Sequence, residues 1–353
     1  MRYLGSKSIL LFVLFAVVAA ACGEGGDGGE EADGAGARPG EGTTIVSARP
    51  NWDTSYFDTE IVERLLEELG YEVTPPEDKE LAPEVFYPAL ARGEVDFWAE
   101  GWFPLHDPFF EEEVPAAGAV ADNVTIVGAM VEAGALQGYL VDAASAEENG
   151  ITNVNDLKDP ALAEVYDRDG DGKADLIGCN EGWGCAVAIN DATQQNGWGD
   201  TIEHVQGEYS TLMVDTIARV ERGEPVLYYT WTPNWTVGAL APGEDVVWIE
   251  APSPPGEDTV VEGVPGCVTD PCEMGFPPNN LQIVANNDFL AENPAAATLF
   301  EVIEIPVGDI NAQNLLMNEG ENTQADIERH AEEWIAENRD LVDGWIQEAT
   351  AAA

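Results

Sequence analysis

Three tryptophans of this 353-residue chain fall just after short apolar runs, in loops that contain glycine or proline. Trp102 lies in VDFWAEGWFPLHD (95–107), Trp183 in GCNEGWGC (178–185) and Trp231 in VLYYTWTPNW (226–235). An indole placed between glycines, as at Trp183, has few chain neighbours to pack on and is presented to something else. Indole faces carry a negative quadrupole and are the best aromatic partners of a cation, at roughly 0.5–2 kcal/mol per contact. Three of them suit a tetraalkylammonium, which has no N–H to donate and is weakly hydrated. A primary ammonium would lose more hydration on entering. The other end of such a ligand needs donors. His106, on the loop of Trp102, can donate to a carboxylate. The amides of Gly184 and Cys185 offer a second donor set, since glycine admits close approach to the main chain and successive amides can form an anion nest. These residues together predict a site for a small zwitterion with a quaternary cation and a carboxylate. Micromolar capture of a ligand of about eight heavy atoms needs about 8 kcal/mol, inside the ligand-efficiency ceiling.

Other chemistry-bearing residues read differently. Trp52, Trp98, Trp235, Trp248, Trp334 and Trp345 are read as packing, and His204 and His330 as surface or core residues. A His106–Cys185 nucleophilic pair is set aside, because an oxidised cysteine is no nucleophile. Neither a G-x-S-x-G elbow nor a zinc motif is present, which argues against a hydrolase acting on choline esters. DRDGDGKAD (167–175) spaces Asp167, Asp169, Asp171 and Asp175 as a calcium loop does, with the Lys173 carbonyl as a further ligand. Position 12 of that pattern is Gly178, where a glutamate is expected. Calcium there would be structural; no other cofactor is called for.

The elements that must position these residues can be traced along the chain. Residues 1–21 form a secretory signal: Arg2 and Lys7 precede an apolar run too short for a membrane span and ending in small residues. Cys22 follows directly. Residues 22–42 are rich in glycine and acid, cannot bury enough surface to order, and read as a disordered tether. Four further cysteines form two close pairs, Cys179/Cys185 and Cys267/Cys272. In an exported protein an even count points to disulfides, a four-cysteine metal site being the alternative. Fourteen basic residues against 67 acidic ones give a net charge of −53, which excludes nucleic acid as a partner. Acidity spread in this way also fits a protein working in concentrated salt.

TTIVSAR (43–49) reads as a strand, and the apolar positions 61, 62, 65, 66 and 69 have helical spacing, ended by Gly70. A strand at Tyr71, a helix over 84–92 and a strand over 93–102 continue the alternation, which predicts parallel βαβ units. The apolar stretch 124–142 is long enough to leave one lobe and enter another. Beyond it come a capped helix start at ITNVNDLKDP, strands over 175–179, 225–231, 245–250 and 281–286, a helix over 209–222, and helices filling 288–348. The expectation is an α/β protein of two lobes, residues 43–139 with 246–353 and residues 140–245. All three tryptophan loops would then face one crevice.

GWFPLHD, QGYLVD, DRDGDGKADLIGCNEGWGC, VLYYTWTPNW, DVVW, IVAN and PVGDINAQN are long, unusual motifs spread from about residue 60 to 348. In them the chain resembles the OpuAC-like substrate-binding family, the periplasmic glycine betaine/proline betaine-binding proteins of ProU-type ABC importers. The resemblance implies a two-lobed type II periplasmic-binding-protein fold with its ligand in the interlobe cleft. It implies a cage of Trp102, Trp183 and Trp231, carboxylate recognition by His106, Gly184 and Cys185, and a Cys179–Cys185 disulfide. Glu181 departs from the family pattern, standing beside the cage where proline is expected. The partners implied are a betaine, an ABC permease with its ATPase, and the membrane through a lipid on Cys22. The protein would be a monomer, extracytoplasmic, at the outer face of the cell membrane or in the periplasm. Choline, carnitine or ectoine are the alternative ligands.

Overall fold

The structure, a computed structural model, describes residues 38–353. The signal segment, Cys22 and most of the expected tether lie outside the described residues. The end of that tether is part of the folded body: the buried Gly40 donates its amide to Leu69 O at 3.0 Å, and Arg38 donates to Glu67 O at 3.0 Å. Order at 38–42 corrects the expected extent of the disordered segment.

Helix α1 (Tyr56–Glu68) forms on the anticipated stripe, burying Phe57, Ile61, Val62, Leu65 and Leu66. On either side of it Thr44–Ile45 and Glu72–Val73 pair in parallel, a short βαβ unit. Strand β1 (Phe97–Phe103) is buried along its whole length and delivers Trp102 at its carboxyl end. Strand β2 (Val124–Asp142) is the 19-residue apolar stretch, extended throughout. Then come β3 (Ala174–Ile177), α2 (Gly184–Asn196), β4 (Ile202–Val205), α3 (Tyr209–Glu221), β5 (Leu227–Thr232), β6 (Val246–Ile249) and β7 (Asn279–Asn286). Helices over 294–351 complete the chain and pack on α1 and on the first half of β2.

The seven strands are ordered β4-β3-β5-β2-β7-β1, with β6 also on β2. Residues 124–135 of β2 pair antiparallel with β7, whereas 136–142 pair antiparallel with β5 and β6. Parallel pairing, predicted throughout, is confined to β3 with its neighbours β4 and β5 and to the short pairs near the amino terminus. The reason is β2 itself: a strand that serves both halves of the fold must receive returning neighbours on each, and these arrive antiparallel. Because β6 lies on the 139–142 end of β2, residues 246–249 sit with β5, although 246–353 were assigned to the other lobe. The Pro/Gly-rich stretch after β6 stays on that side too, with Cys267 bridging to Trp248.

Both expected disulfides are present, Cys179–Cys185 and Cys267–Cys272, so these cysteines do not make a four-sulfur metal site.

Candidate functional site

Trp102, His106, Trp183, Gly184, Cys185 and Trp231, separated by up to 129 positions in the chain, line one cavity with about 300 Å³ of space not filled by atoms. The enclosure is small and suits a small molecule. Each arrives at a strand end: Trp102 from β1, Trp183 from the loop after β3, Trp231 from β5.

The indoles stand as crossed walls. Trp102 and Trp231 have ring centroids 6.4 Å apart at 85°, and Trp183 and Trp231 lie 5.9 Å apart at 77°. Trp52, read from the sequence as packing, belongs to the same enclosure, 5.3 Å from Trp183 at 75° and lining the cavity. Tyr229 and Gln137 also line it. Faces at right angles present several negative quadrupoles to one point, which a spherical methylated cation can use and a planar ligand cannot.

The same cavity carries donors. Residues Gly184 and Cys185 open α2, so their amides are among the four that a helix start leaves unpaired, at the positive end of the 13-residue helix dipole. The sequence suggested a nest here; a helix start is the stronger anion site. Two features fix it. The Cys179–Cys185 disulfide ties the helix start to the end of β3, and Gly182 takes the left-handed turn (φ 86°) that swings Trp183 inward. Gly184 has no room for a side chain: a Cβ there would lie 2.9 Å from Leu105 Cγ and 3.1 Å from His106 Cδ2.

His106 is buried, and with no anion beside it burial pushes its pKa down to about 3, so the ring is neutral. Trp102 N–H points at Nδ1 (3.2 Å), as does the Tyr87 hydroxyl (2.9 Å). Because a backbone N–H can only donate, Nδ1 carries the lone pair and the ring proton is on Nε2. Nε2–H is the donor left for a ligand. Gln137 adds another: its Oε1 accepts from Tyr229 O–H at 2.5 Å, and its Nε2 is buried without a partner.

The remaining expectations fall away from the cavity. Glu181 is exposed and faces solvent. Trp98, Trp235, Trp248, Trp334 and Trp345 are buried packing residues, and His330 pairs with Glu321 at 3.0 Å. Of the proposed calcium ligands, Asp167, Asp169 and Asp175 bring carboxylate oxygens within 4.8 Å of one another, and the Asp171 carboxylate is not among them. Asp167 already accepts from the amides of Gly170 and Gly172, at 2.7 and 2.8 Å.

The chain matches the family described as the substrate binding domain of ABC-type glycine betaine transport systems over residues 43–337. It is 44% identical over 317 residues to the glycine betaine-binding periplasmic protein OusX of Dickeya dadantii, covering 89% of this chain and 92% of that protein. It is 42% identical over 316 residues to the glycine betaine/proline betaine-binding periplasmic protein of Escherichia coli, with the same coverage, 89% and 92%. Among solved structures, lactococcal OpuAC in its closed form with glycine betaine aligns with a TM-score of 0.64 at 18% identity, over 86% of this chain and 99% of that one. These matches agree with the two-lobed α/β architecture. The chain belongs to the OpuAC family, the substrate-binding domains of ABC-type glycine betaine transporters.

Proposed function

We propose that the protein is an extracytoplasmic receptor that captures glycine betaine, with proline betaine as a close second, and delivers it to an ABC permease. One observation carries the reading: a cage of crossed indoles shares a small cavity with a helix start and with a neutral histidine whose remaining ring nitrogen is a donor. The cage suits a cation that cannot hydrogen-bond, and the donors suit a carboxylate. Choline lacks the carboxylate and would leave the Gly184 and Cys185 amides and Gln137 Nε2 unpaired, at a cost of roughly 1–3 kcal/mol each. The cavity walls come from both halves of the sheet, so closure over the ligand is the mechanism. Nothing in the cavity is arranged as a nucleophile with its base, and the protein is a carrier of its ligand rather than an enzyme.

The residue types of the leader and Cys22 support a lipid-anchored form at the outer face of the membrane, and we take the receptor to act as a monomer. The division of lobes follows β2, with 246–249 joining the 140–245 lobe. Calcium at Asp167, Asp169 and Asp175 would brace the loop before β3 and take no part in capture.

The test is a tryptophan-fluorescence titration of the purified exported protein with glycine betaine, choline and glycine. Saturable binding of betaine, lost in Trp183→Ala and weakened in His106→Ala, establishes both ends of the site. A response to choline alone removes the carboxylate end, and silence toward all three in folded protein removes the cage.

A further inference from the structure

We propose that Asp58 and Glu100 form a buried carboxyl pair behind the cation cage that gives up a proton when a quaternary ammonium binds, so that capture tightens with rising pH. The inference rests on the betaine reading of the cage and adds to it two determinants of affinity.

Glu100 lies on β1 and Asp58 on α1, and both are fully buried. Three of their four carboxyl oxygens, Asp58 Oδ1 and Oδ2 and Glu100 Oε1, have no hydrogen-bond partner. The fourth, Glu100 Oε2, accepts from Trp52 Nε1 at 2.8 Å. The Trp102 indole N–H is a further donor beside the same carboxyl, the Ser55 hydroxyl being given to Trp52 O at 2.8 Å, and the amides of Asp58 and Thr59 stand beside the Asp58 carboxyl. Trp52 and Trp102 are walls of the cavity. The pair therefore stands against the outer edges of two cage indoles, where a structural carboxylate would gain nothing from burial.

The surrounding groups define what can titrate. The strand at Arg49–Pro50, which packs on both α1 and β1, contributes Arg49, engaged with Glu80 and Gln324; the segment before α1 contributes Asp53, and α1 itself Glu60, Glu63 and Arg64. The helix Pro83–Ala91 contributes Tyr87, and the loop after β1 His106. Helices 307–318 and 324–337, which pack on α1, contribute Asp309, Glu328 and His330. Arg64 is engaged with Glu60, Glu67, Glu328 and Glu332, and among the described residues no Lys or Arg pairs with Asp58 or Glu100. The charge that bears on Glu100 is that of Asp58.

Two neighbouring carboxyls in a dry place with no cation paired to either resist ionising together. Burial raises both, Asp58 to about 8, and Asp58 raises Glu100 further. In the empty protein burial and the Asp58 charge both favour the protonated form of Glu100. A permanent positive charge in the cage changes the balance: it favours an ionised Glu100, whose bonds from the indole N–H groups become charge-assisted and leave the ring faces more negative. The proton leaves to solvent, no bond of the ligand is altered, and the site gains a counter-charge for a cation it cannot hydrogen-bond. Linkage fixes the sign. Because the bound state holds fewer protons, Kd falls as pH rises, by about tenfold per pH unit for one proton. The slope spans the interval between the pair's pKa when occupied and when empty, and is flat outside it.

Isothermal titration calorimetry of the purified exported protein tests this, with glycine betaine in phosphate and in Tris at pH 7. A parallel series uses tert-butylacetate, which keeps the carboxylate and shape but has a neutral carbon in place of nitrogen. The expected result is a buffer-dependent heat for betaine alone, and a Kd that tightens with pH for betaine alone. Glu100→Gln abolishes both while leaving tert-butylacetate binding unchanged. Asp58→Asn removes the like charge and moves the sloping interval to lower pH, a second route should the glutamine variant not fold. Buffer-independent betaine heat with a flat pH profile overturns the inference and leaves the betaine reading intact. Equal weakening of both ligands in Glu100→Gln overturns it as well, since that reports a structural role. If betaine does not bind at all, the functional reading falls and takes this one with it.

Discussion

Trp183 Nε1 donates to Asn51 Oδ1 at 2.8 Å, a bond between the loop after β3 and the segment that leads into α1. The same segment meets the far half of the fold twice more: Asp53 Oδ2 accepts from Ser210 Oγ at 3.2 Å, and Thr54 Oγ1 from Trp231 Nε1 at 3.4 Å. Residues 51–54 thus hold two cage indoles from the opposite side of the cavity. Asn51→Ala removes the shortest of these contacts and leaves the cage rings in place. We expect it to weaken betaine binding by about fivefold, the equivalent of about 1 kcal/mol, with unchanged thermal stability of the empty protein. The effect should appear in the dissociation rate, measured by stopped-flow fluorescence. Unchanged dissociation would show that this bond does not hold the closed form.

Gly184→Ala tests the other closing surface. The residue has ordinary helical geometry, so alanine costs the backbone nothing and favours the helix. The added methyl meets Leu105 and His106 instead. The expected variant folds at least as stably as the parent but binds betaine at least tenfold more weakly, because the helix start is held away from the histidine. A variant that binds as the parent does would mean that Leu105 yields.

His106 makes stability depend on pH in a known direction. Its folded pKa, about 3, lies below the ordinary value of 6.5. The unfolded chain therefore binds the extra proton first. The stability of the neutral buried ring is fully present above 6.5 and is lost as pH falls toward about 3, by an upper bound of about 5 kcal/mol at about 1.36 kcal/mol per unit. Urea denaturation at pH 7 and pH 4 should show the parent losing stability relative to His106→Gln on acidification. Parallel losses in the two proteins would place the acid sensitivity elsewhere.

The carboxylate loop at 167–175 offers a further check. Millimolar calcium should raise the Tm of the parent and not that of Asp169→Asn, with betaine affinity unaffected in both. An equal Tm in calcium and in chelator would leave the loop as a turn held by its own amides, a role its hydrogen bonds already support.

Much of the site was legible because its chemistry is local in sequence. Trp102 and His106 are four positions apart, Trp183 precedes the two amides directly, and each motif lies at or just after the end of a short apolar strand. Trp52 and Gln137 were missed for the opposite reason. Trp52 sits in RPNWDTS, soon after the strand read over 43–49 but with no glycine to mark it, and only the folding of α1 against β1 brings it to the cavity. Gln137 is one polar residue within an apolar strand, and an unpaired buried amide marks it only once the structure is known. The helix at 184–196 went unread because its stripe is weak: GCAVAINDATQQN buries only residues at its amino-terminal half. Antiparallel pairing around β2 was hidden too, since the order of elements suggests parallel units and does not reveal that one strand serves two ladders.

That shared strand has a consequence for how the molecule could be taken apart. Many two-lobed proteins invite excision of one lobe as a smaller binding module. Here each half of the sheet would lose an interior strand if the other were removed, because 124–135 and 136–142 are one continuous run of backbone. A fragment ending within β2 leaves a row of unpaired amides and carbonyls beside β7 or β5. Circular permutants opened at the exposed 167–172 turn should fold and bind, whereas permutants opened near Ala135 should yield neither lobe. The chain is two lobes in shape and one unit in assembly.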